Sequence, residues 1–253
     1  MPIPVYLALS CWAVRYMANL SKAEKVYTVF EHIARTYDRG NKRISLGRER
    51  VWKEALIQRV CAYVPEAGAI LDVCCGTGDI AIGIADKRPQ CRVWGLDFSP
   101  AMLQRAQEKS KGIKNVLWKK GDAVHLPFPT AYFDSAVISF GLRNTPDYGR
   151  VLQEMSRVVK AGGTIWCLDS FLPESRWIRP WYSLYFHYVM PVLGGGRRCR
   201  QEYRWLWEST CRFINRRELE RLFVQAGLTL LKHSSYMFGA CLLQGGLKDS
   251  HRK

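Results

Sequence analysis

The sequence lacks the cysteine spacing of a structural metal site. It contains nine cysteines, but none form a C-x-x-C pair, and no cysteine and histidine cluster has the spacing of zinc ligands. We therefore expect no metal in this protein. The odd number of cysteines, scattered through apolar stretches, indicates free thiols in the reducing environment of a cytoplasm.

The sequence also lacks an apolar run long enough to cross a membrane. Its first stretch, MPIPVYLALSCWAVRYMANL, is apolar only as far as Val14 and has no basic start of the kind that begins a signal peptide. Trp12, Arg15 and Tyr16 are residue types that anchor helices at a membrane surface. Residues 1–21 are thus interpreted as an apolar extension, which forms either an interfacial helix or a loosely ordered start. No linker divides residues 22–253, which we expect to form a single domain.

Acidic residues are few relative to basic ones. The chain has 22 acidic and 38 basic residues, a net charge of +16 and a sequence pI near 9.6, so we expect an anionic partner. From Glu174 to Arg221 all the basic residues are arginines and none is a lysine, and aromatic residues are interleaved with these arginines. That mixture suits a lipid headgroup surface and also suits RNA. We interpret residues 172–214 as an inserted lid and substrate segment.

Short apolar runs alternate with helical patterns from Ala69 onward, which is typical of βαβ units in a parallel sheet. Ser99 is the expected N-cap of one helix, and Asn215 with Glu218 has the spacing of a capping box on another. The glycines of AGG, residues 161–163, are interpreted as the stop signal of a helix. The predicted strands are 69–75, 91–97, 115–122, 133–140 and 163–171, the helices are 79–87, 99–110, 148–160 and 215–227, and a closing hairpin joins 228–236 to 239–247.

The loop after the first strand has the glycine pattern of a nucleotide site. Gly76, Gly78 and Ala81 fit G-x-G-x-x-G/A, and Asp97 follows about 20 residues later. On spacing alone this pattern also fits a nicotinamide-dependent reductase. Asp79 favours another ligand, because a carboxylate at the helix start repels a pyrophosphate and attracts a cation such as the sulfonium of S-adenosylmethionine (SAM). The alternative is that Asp79 only caps the helix.

Further residues at strand ends complete a SAM site. Asp97 can accept hydrogen bonds from both ribose hydroxyls, while Phe98 and Met102 can form walls for the adenine. Asp122 can accept from the adenine amino group, or can serve only as a turn residue.

Seven segments of the chain, from about Lys22 onward, resemble the UbiE/MenG family of ubiquinone and menaquinone biosynthesis methyltransferases. They are KAEKVYTVFEHIARTYDRGNKRISLGRERVWK, LDVCCGTGD, GLDFSPAML, GDAVHLPFP, YFDSAVISFGLRNTPD, EMSRVVKAGG and YFHYVMPVLG. The chain departs from the family pattern at Cys74 and Cys75, at GGGRRCRQEY and at LDSFLP.

The resemblance implies a class I SAM-dependent methyltransferase: an α/β, Rossmann-like, mostly parallel seven-stranded sheet with an antiparallel strand in the edge hairpin. It also implies ring C-methylation of a prenylated quinol, most directly demethylmenaquinol to menaquinol. The family's cofactor contacts fall on Thr77, Asp97, Asp122, Ala123 and Ser139. The full set of expected SAM-binding residues is Asp72, Gly76, Thr77, Gly78, Asp79, Asp97, Phe98, Asp122, Ala123 and Ser139.

Arg143 and Asn144 follow the fourth strand, where ligands of α/β sheets bind. We expect Arg143 to stabilise a developing phenolate and Asn144 to orient it; the alternative for Arg143 is an ion pair with a loop acid such as Asp147. His187 is a second catalytic candidate, either as a proton acceptor or as a packed side chain.

Three other substrate classes stay open at this point. The same scaffold could methylate a phospholipid headgroup amine, a different aromatic metabolite or RNA. No appended RNA-binding module and no N-P-P-Y-like motif occur, so we expect no nucleic acid partner. We expect a cytoplasmic enzyme attached peripherally to an anionic membrane surface, and the patterns leave a homo-oligomer open.

Overall fold

The computed structural model describes residues 31, 34, 37–45, 47–175, 177–190 and 200–249. The apolar extension 1–21 lies outside these residues. The helices are α1 Tyr37–Ile44, α2 Glu49–Tyr63, α3 Asp79–Lys87, α4 Pro100–Lys109, α5 Tyr148–Val158, α6 Arg179–Leu184, α7 Arg200–Arg212 and α8 Arg216–Gln225. The strands are β1 Ala69–Val73, β2 Arg92–Asp97, β3 Val116–Lys120, β4 Phe133–Ser139, β5 Val159–Ser170, β6 Leu228–Leu230, β7 Ser234–Tyr236 and β8 Cys241–Lys248.

One mixed sheet organises the described chain, with the order β3-β2-β1-β4-β5-β8-β6. The first five of these strands pair in parallel, and β8 runs antiparallel to β5. Both β6 and β7 pair with β8, at residues 246–248 and 241–243 respectively. They are therefore two pieces of one strand position, and the sheet has the seven positions and the closing hairpin that the sequence predicts.

Helices cover both faces of this sheet. The side chains of α5 and α8 pack on one face, in a cluster that includes Met155 and Phe223, both fully buried. The side chains of α2 and α3 pack on the other face around Leu56, Ile84 and the ring of Trp166. A sheet covered on both faces explains why its central strands are continuously apolar.

Local signals set several helix ends. The Ser99 hydroxyl accepts from the Met102 backbone N–H, and Pro100 is the first residue of α4. The capping box of α8 is complete, because Asn215 accepts from the Glu218 backbone N–H and the Glu218 side chain accepts in return. Both caps were predicted, since each depends only on residues three positions apart.

The AGG stop signal is wrong for the helix before β5. Helix α5 ends at Val158, and β5 begins at the next residue. The partners of β4 jump from Val159 to Thr164, so the residues between them form an irregularity within the paired strands. Gly162, with φ of 77°, belongs to this irregularity.

The described helices include none that is both long and apolar enough to cross a bilayer. Likewise, the described side chains include no group of three potential metal ligands placed to hold an ion.

Candidate active site

A cavity lies at the carboxyl ends of the parallel strands. Its walls come from the residues that follow β1, β2, β3 and β4, and Tyr37 of α1 contributes from outside the sheet. Of the predicted SAM-binding residues, Gly76, Asp97, Phe98, Asp122, Ala123 and Ser139 line it, together with Cys74 and Asn144. Four strand ends that converge on one cavity are the usual place for a ligand in a parallel sheet.

Asp97 is a buried carboxylate that lines this cavity. Its carboxylate is only 4% exposed and accepts hydrogen bonds from the backbone N–H of Gly76 at 2.8 Å and of Ser99 at 2.9 Å. Burial raises the pKa of Asp97 to about 6, although those backbone donors and that of Phe98 oppose the rise. The side chain is therefore fixed in place, and ligand hydroxyls that donate to it would stabilise its charge.

Asp122 and Ser139 present further polar atoms to the cavity. Asp122 accepts from the Val124 backbone N–H at 3.0 Å, so it holds its turn and also lines the cavity. The Ser139 hydroxyl is buried and makes no hydrogen bond within the described chain. A buried hydroxyl without a protein partner indicates that a ligand completes its hydrogen bonding.

Asp72, Thr77 and Gly78 do not line the cavity. One carboxylate oxygen of Asp72 accepts from the Ala81 backbone N–H at 3.1 Å, and burial holds the pKa of Asp72 well above its usual range. Thr77 donates to Asp38 at 2.6 Å. Gly78 has φ of 84°, and a Cβ there would lie 2.4 Å from the Trp118 ring. These residues shape the loop around the cavity and do not form its wall.

Asp79 also lies outside the cavity wall, and its contact with the cofactor's positive charge stays a prediction. Its carboxylate forms an ion pair with Lys53 at 2.7 Å and a second with Lys109. Burial opposes its ionisation, but the two ammonium groups outweigh burial and hold the pKa of Asp79 below its usual value. The negative charge at this helix start is thus already neutralised by lysines.

Arg143 pairs with Asp169 of β5 and not with Asp147. The Arg143 guanidinium forms a buried ion pair with Asp169, and its Nη1 also donates to the Phe140 carbonyl at 3.0 Å. Burial opposes the positive charge, but Asp169 outweighs burial and raises the pKa of Arg143. Asp147 accepts from the Arg150 backbone N–H at the start of α5 instead. Arg143 is therefore a permanently charged group beneath the surface.

A second cavity adjoins the first. Tyr37 and Phe140 line both cavities. Phe140 has φ of 54° and accepts from Arg143 and Asn144 through its carbonyl. Six of the fifteen residues that line the second cavity are aromatic, and its lining residues besides Tyr37 and Phe140 are Asn41, Ser45, Glu49, Trp52, Arg143, Ser170, Tyr182, Tyr185, Phe186, Met190, Leu206, Met237 and Ala240.

The predicted catalytic residues divide between the two cavities. Arg143 lines the second cavity, whereas Asn144 lines the first. The side chain of His187 lies outside the described residues, so its role stays a prediction. Tyr37 and Phe140 line both cavities, so the two ligands would meet next to these residues.

Residues 18–248 match the sequence model of a family described as the ubiE/COQ5 methyltransferase family. The chain belongs to this family. Demethylmenaquinone methyltransferase of Staphylococcus haemolyticus is 40% identical over 91% of the chain and 97% of its own length. The Staphylococcus aureus enzyme of the same name is 39% identical over 91% and 96%.

Solved structures of methyltransferases share the fold. A SAM-dependent methyltransferase from Thermotoga maritima is similar with a TM-score of 0.61, 22% identity and coverage of 88% of this chain and 100% of that one. One from Aquifex aeolicus gives a TM-score of 0.56, 17% identity and coverage of 78% and 89%. The class I methyltransferase fold and the SAM cofactor, both predicted from the sequence, are confirmed.

The first cavity of this methyltransferase fits SAM. Asp97 offers a fixed carboxylate for hydroxyl donors, Ser139 offers an unpaired hydroxyl, and Phe98 offers an aromatic wall. When bound, SAM supplies an electrophilic methyl group on a sulfonium. The residues of the chain contribute its orientation and the exclusion of water.

Three residues of the methyltransferase site were not predicted from the sequence. Tyr37 and Glu49 come from α1 and α2, which precede the sheet, and Asp169 comes from β5. Tyr37 lies in the YD…N…SLG stretch that carries part of the family resemblance, so its signal was present. Asp169 is fully buried inside an apolar strand, and a buried acid in such a strand is itself a signal for a buried cationic partner.

Proposed function

We propose that this methyltransferase transfers a methyl group to a ring carbon of a prenylated quinol, converting demethylmenaquinol to menaquinol. The second cavity is the observation that carries the proposal. It is walled by Trp52, Tyr182, Tyr185 and Phe186, and it adjoins the SAM cavity across Tyr37 and Phe140. A flat aromatic substrate suits such walls. The names of the two staphylococcal relatives support the same substrate.

Arg143 provides the electrostatic part of the reaction. A quinol carbon becomes nucleophilic when a neighbouring hydroxyl loses its proton and its oxygen becomes negative. Arg143 is held charged by Asp169 and lines the cavity where that oxygen would lie. A buried guanidinium stabilises a developing phenolate more strongly than an exposed one would, because little water screens it. Asn144 lines the SAM side and donates to the Phe140 carbonyl at 3.2 Å, which supports a role in orienting the shared wall.

The segment from Trp177 to Met190 would form the lid over the quinol. Phe186 and Met190 are buried against Leu206 and Trp207 of α7. These contacts join the two described parts of residues 172–214 beside the second cavity. The predicted lid and substrate segment therefore has a packed inner side.

The outer side of this segment would contact the membrane that contains the substrate. Trp177, Trp181 and Tyr188 are the exposed aromatic residues of this segment, and we call these three residues the aromatic stripe. Trp177 is 88% exposed, Trp181 72% and Tyr188 69%. Exposed tryptophans on a chain with a net charge of +16 suit an anionic lipid surface.

Methyl transfer from labelled SAM tests the proposed substrate. We expect label in demethylmenaquinol, and little in a demethylated benzoquinol or in a phospholipid with an amine headgroup. The variant Arg143→Lys keeps the charge but loses the forked donor geometry, so turnover should fall at least about tenfold while SAM affinity stays unchanged. Label in the phospholipid and none in the quinol would reject the proposal.

A further inference from the structure

The reaction proposed above releases one proton, and the second cavity must contain a group that accepts it. Methylation breaks the S–CH₃ bond and forms a C–CH₃ bond. The quinol hydroxyl gives up its proton before the attack, and the ring C–H proton returns to that oxygen when aromaticity is restored. One proton is therefore left in the cavity after each turnover.

Most polar groups of the second cavity cannot take this proton. Arg143 is held as a guanidinium by Asp169. Tyr37, Tyr182 and Tyr185 are phenols, and burial raises the pKa of each above its usual value of 10. None of these phenols therefore has a basic oxygen near neutral pH. Asn and Ser side chains do not accept protons at this pH.

Glu49 is the carboxylate that remains. In the described chain it is the one carboxylate or imidazole among the residues that line the second cavity. Its side chain is only 16% exposed. Its closest cation, Lys53, lies 3.8 Å away, whereas the same ammonium group is 2.7 Å from Asp79. No hydrogen bond to the Glu49 carboxylate is present among the described residues. Glu49 is thus a largely buried carboxylate to which no described residue donates a hydrogen bond.

We infer that Glu49, which lines the second cavity together with Arg143, is the catalytic base that removes the proton of the quinol hydroxyl. The inference rests on the proposed function. Arg143 then stabilises the oxygen anion that Glu49 creates, so the two residues act on the same oxygen with opposite charges. Protonated Glu49 loses its proton to solvent at the edge of the cavity after the product leaves.

The surroundings of Glu49 suit this role. Burial raises its pKa most, and Asp79 and Asp38 raise it further, while Lys53 and Lys109 lower it. A carboxylate with a raised pKa is a stronger base than an exposed one. The groups that face it are Lys53 on its own helix, Tyr37 and Asp38 of α1, Asp79 of α3 and Lys109 of α4.

The variant Glu49→Gln tests the inference, because glutamine keeps the shape of the glutamate side chain but cannot accept the proton. We expect kcat with demethylmenaquinol to fall by about 10² or more, while SAM affinity measured by calorimetry stays within about twofold. The matched control is Glu54→Gln on the same helix, because Glu54 is exposed and pairs with Lys87 at 2.6 Å. The control should keep wild-type kcat.

The pH profile separates a base from a merely structural residue. Wild-type kcat should fall on the acid side as Glu49 becomes protonated, and Glu49→Gln should lack this acid limb. Two results would overturn the inference and leave the substrate proposal intact. One is a Glu49→Gln variant with the same kcat as the wild-type enzyme, and the other is a loss of kcat in His187→Gln but not in Glu49→Gln. A wild-type enzyme that methylates no quinol at all would instead reject the proposed function.

Discussion

Burial of the ionised Asp97 carboxylate costs free energy, which hydrogen bonds from a bound ligand would offset. Burial disfavours its charge, and the backbone N–H groups of Gly76, Phe98 and Ser99 recover only part of that cost. Ribose hydroxyls that donate to the carboxylate would recover more, because they restore hydrogen bonds lost from water. We therefore propose that SAM affinity is coupled to the ionisation of Asp97.

This coupling predicts a pH dependence of SAM binding. With the pKa of Asp97 raised to about 6, the free enzyme binds a proton as pH falls through 6, and that proton must leave before the carboxylate can accept from the ribose. Affinity should therefore fall toward acid, by about tenfold between pH 7 and pH 5. Calorimetry across this range measures it.

Asp122→Asn is the matched control for the pH dependence. It removes the other carboxylate of the SAM cavity, so binding should weaken without losing its dependence on pH. Affinity that is the same at pH 5 and pH 7 in the wild-type enzyme would contradict the role given to Asp97.

Cys74 and Cys75 show that residues in a functional loop need not carry its chemistry. Cys74 lines the SAM cavity and Cys75 is buried. Burial is the main cause that holds the pKa of both thiols well above their usual range, and the charge of Asp97 adds to it. Both therefore remain thiols at neutral pH and act as small apolar side chains.

At the scale of elements, what the sequence predicted well was local. The caps at Ser99 and Asn215 and the α3 boundaries each depend on neighbouring residues. The start of β5 was misplaced because its first residue, Val159, pairs with Phe133 of β4, and pairing between strands leaves little mark in a local pattern. Helix stop signals compete with such pairing, and here the pairing won.

Helix α1 contributes Tyr37 to the wall of the SAM cavity, and its Asp38 side chain contacts the glycine loop. Asp38 accepts from the Thr77 hydroxyl at 2.6 Å and from Lys109 at 2.9 Å. The next turn of the loop is held by Asp79 through the same Lys109. Release of Asp38 should therefore let α1, with the Tyr37 wall, move away from the cofactor.

The variant Asp38→Ala should speed SAM dissociation. Loss of two partly exposed hydrogen bonds is worth about 1 kcal/mol, or about a fivefold faster dissociation rate, which stopped-flow fluorescence can measure. Asp86→Ala is a suitable control, because Asp86 is an exposed acid at the far end of α3. An unchanged rate in Asp38→Ala would mean that α1 does not gate the cofactor.

At the scale of the whole molecule, the site is an assembly of distant segments. Lys53 of α2 and Lys109 of α4 reach Asp79 of α3 across 26 and 30 residues of sequence. The pairing of Arg143 with Asp169 spans another 26. The sequence indicated the charge of each residue but not these partners, since no local pattern records which helices meet above the sheet. The sequence therefore shows neither the lysine partners of Asp79 nor the position of Glu49 in the second cavity.

The distribution of charge and aromatic surface over the whole molecule predicts how it meets a membrane. The enzyme should bind vesicles that contain about a third of an anionic phospholipid, and bind neutral vesicles much more weakly. Binding should weaken steeply with salt, because the Debye length falls from about 10 Å at 0.1 M to about 3 Å at 1 M.

Replacement of Trp177 and Trp181 together by alanine should reduce binding about tenfold or more, since each ring is exposed and apolar. Val224→Ala, an exposed apolar residue of α8, controls for loss of surface area alone. Flotation of vesicles with bound protein measures all of these effects. Binding that changes neither with salt nor on replacement of the two tryptophans would contradict the proposed contact between the aromatic stripe and a membrane.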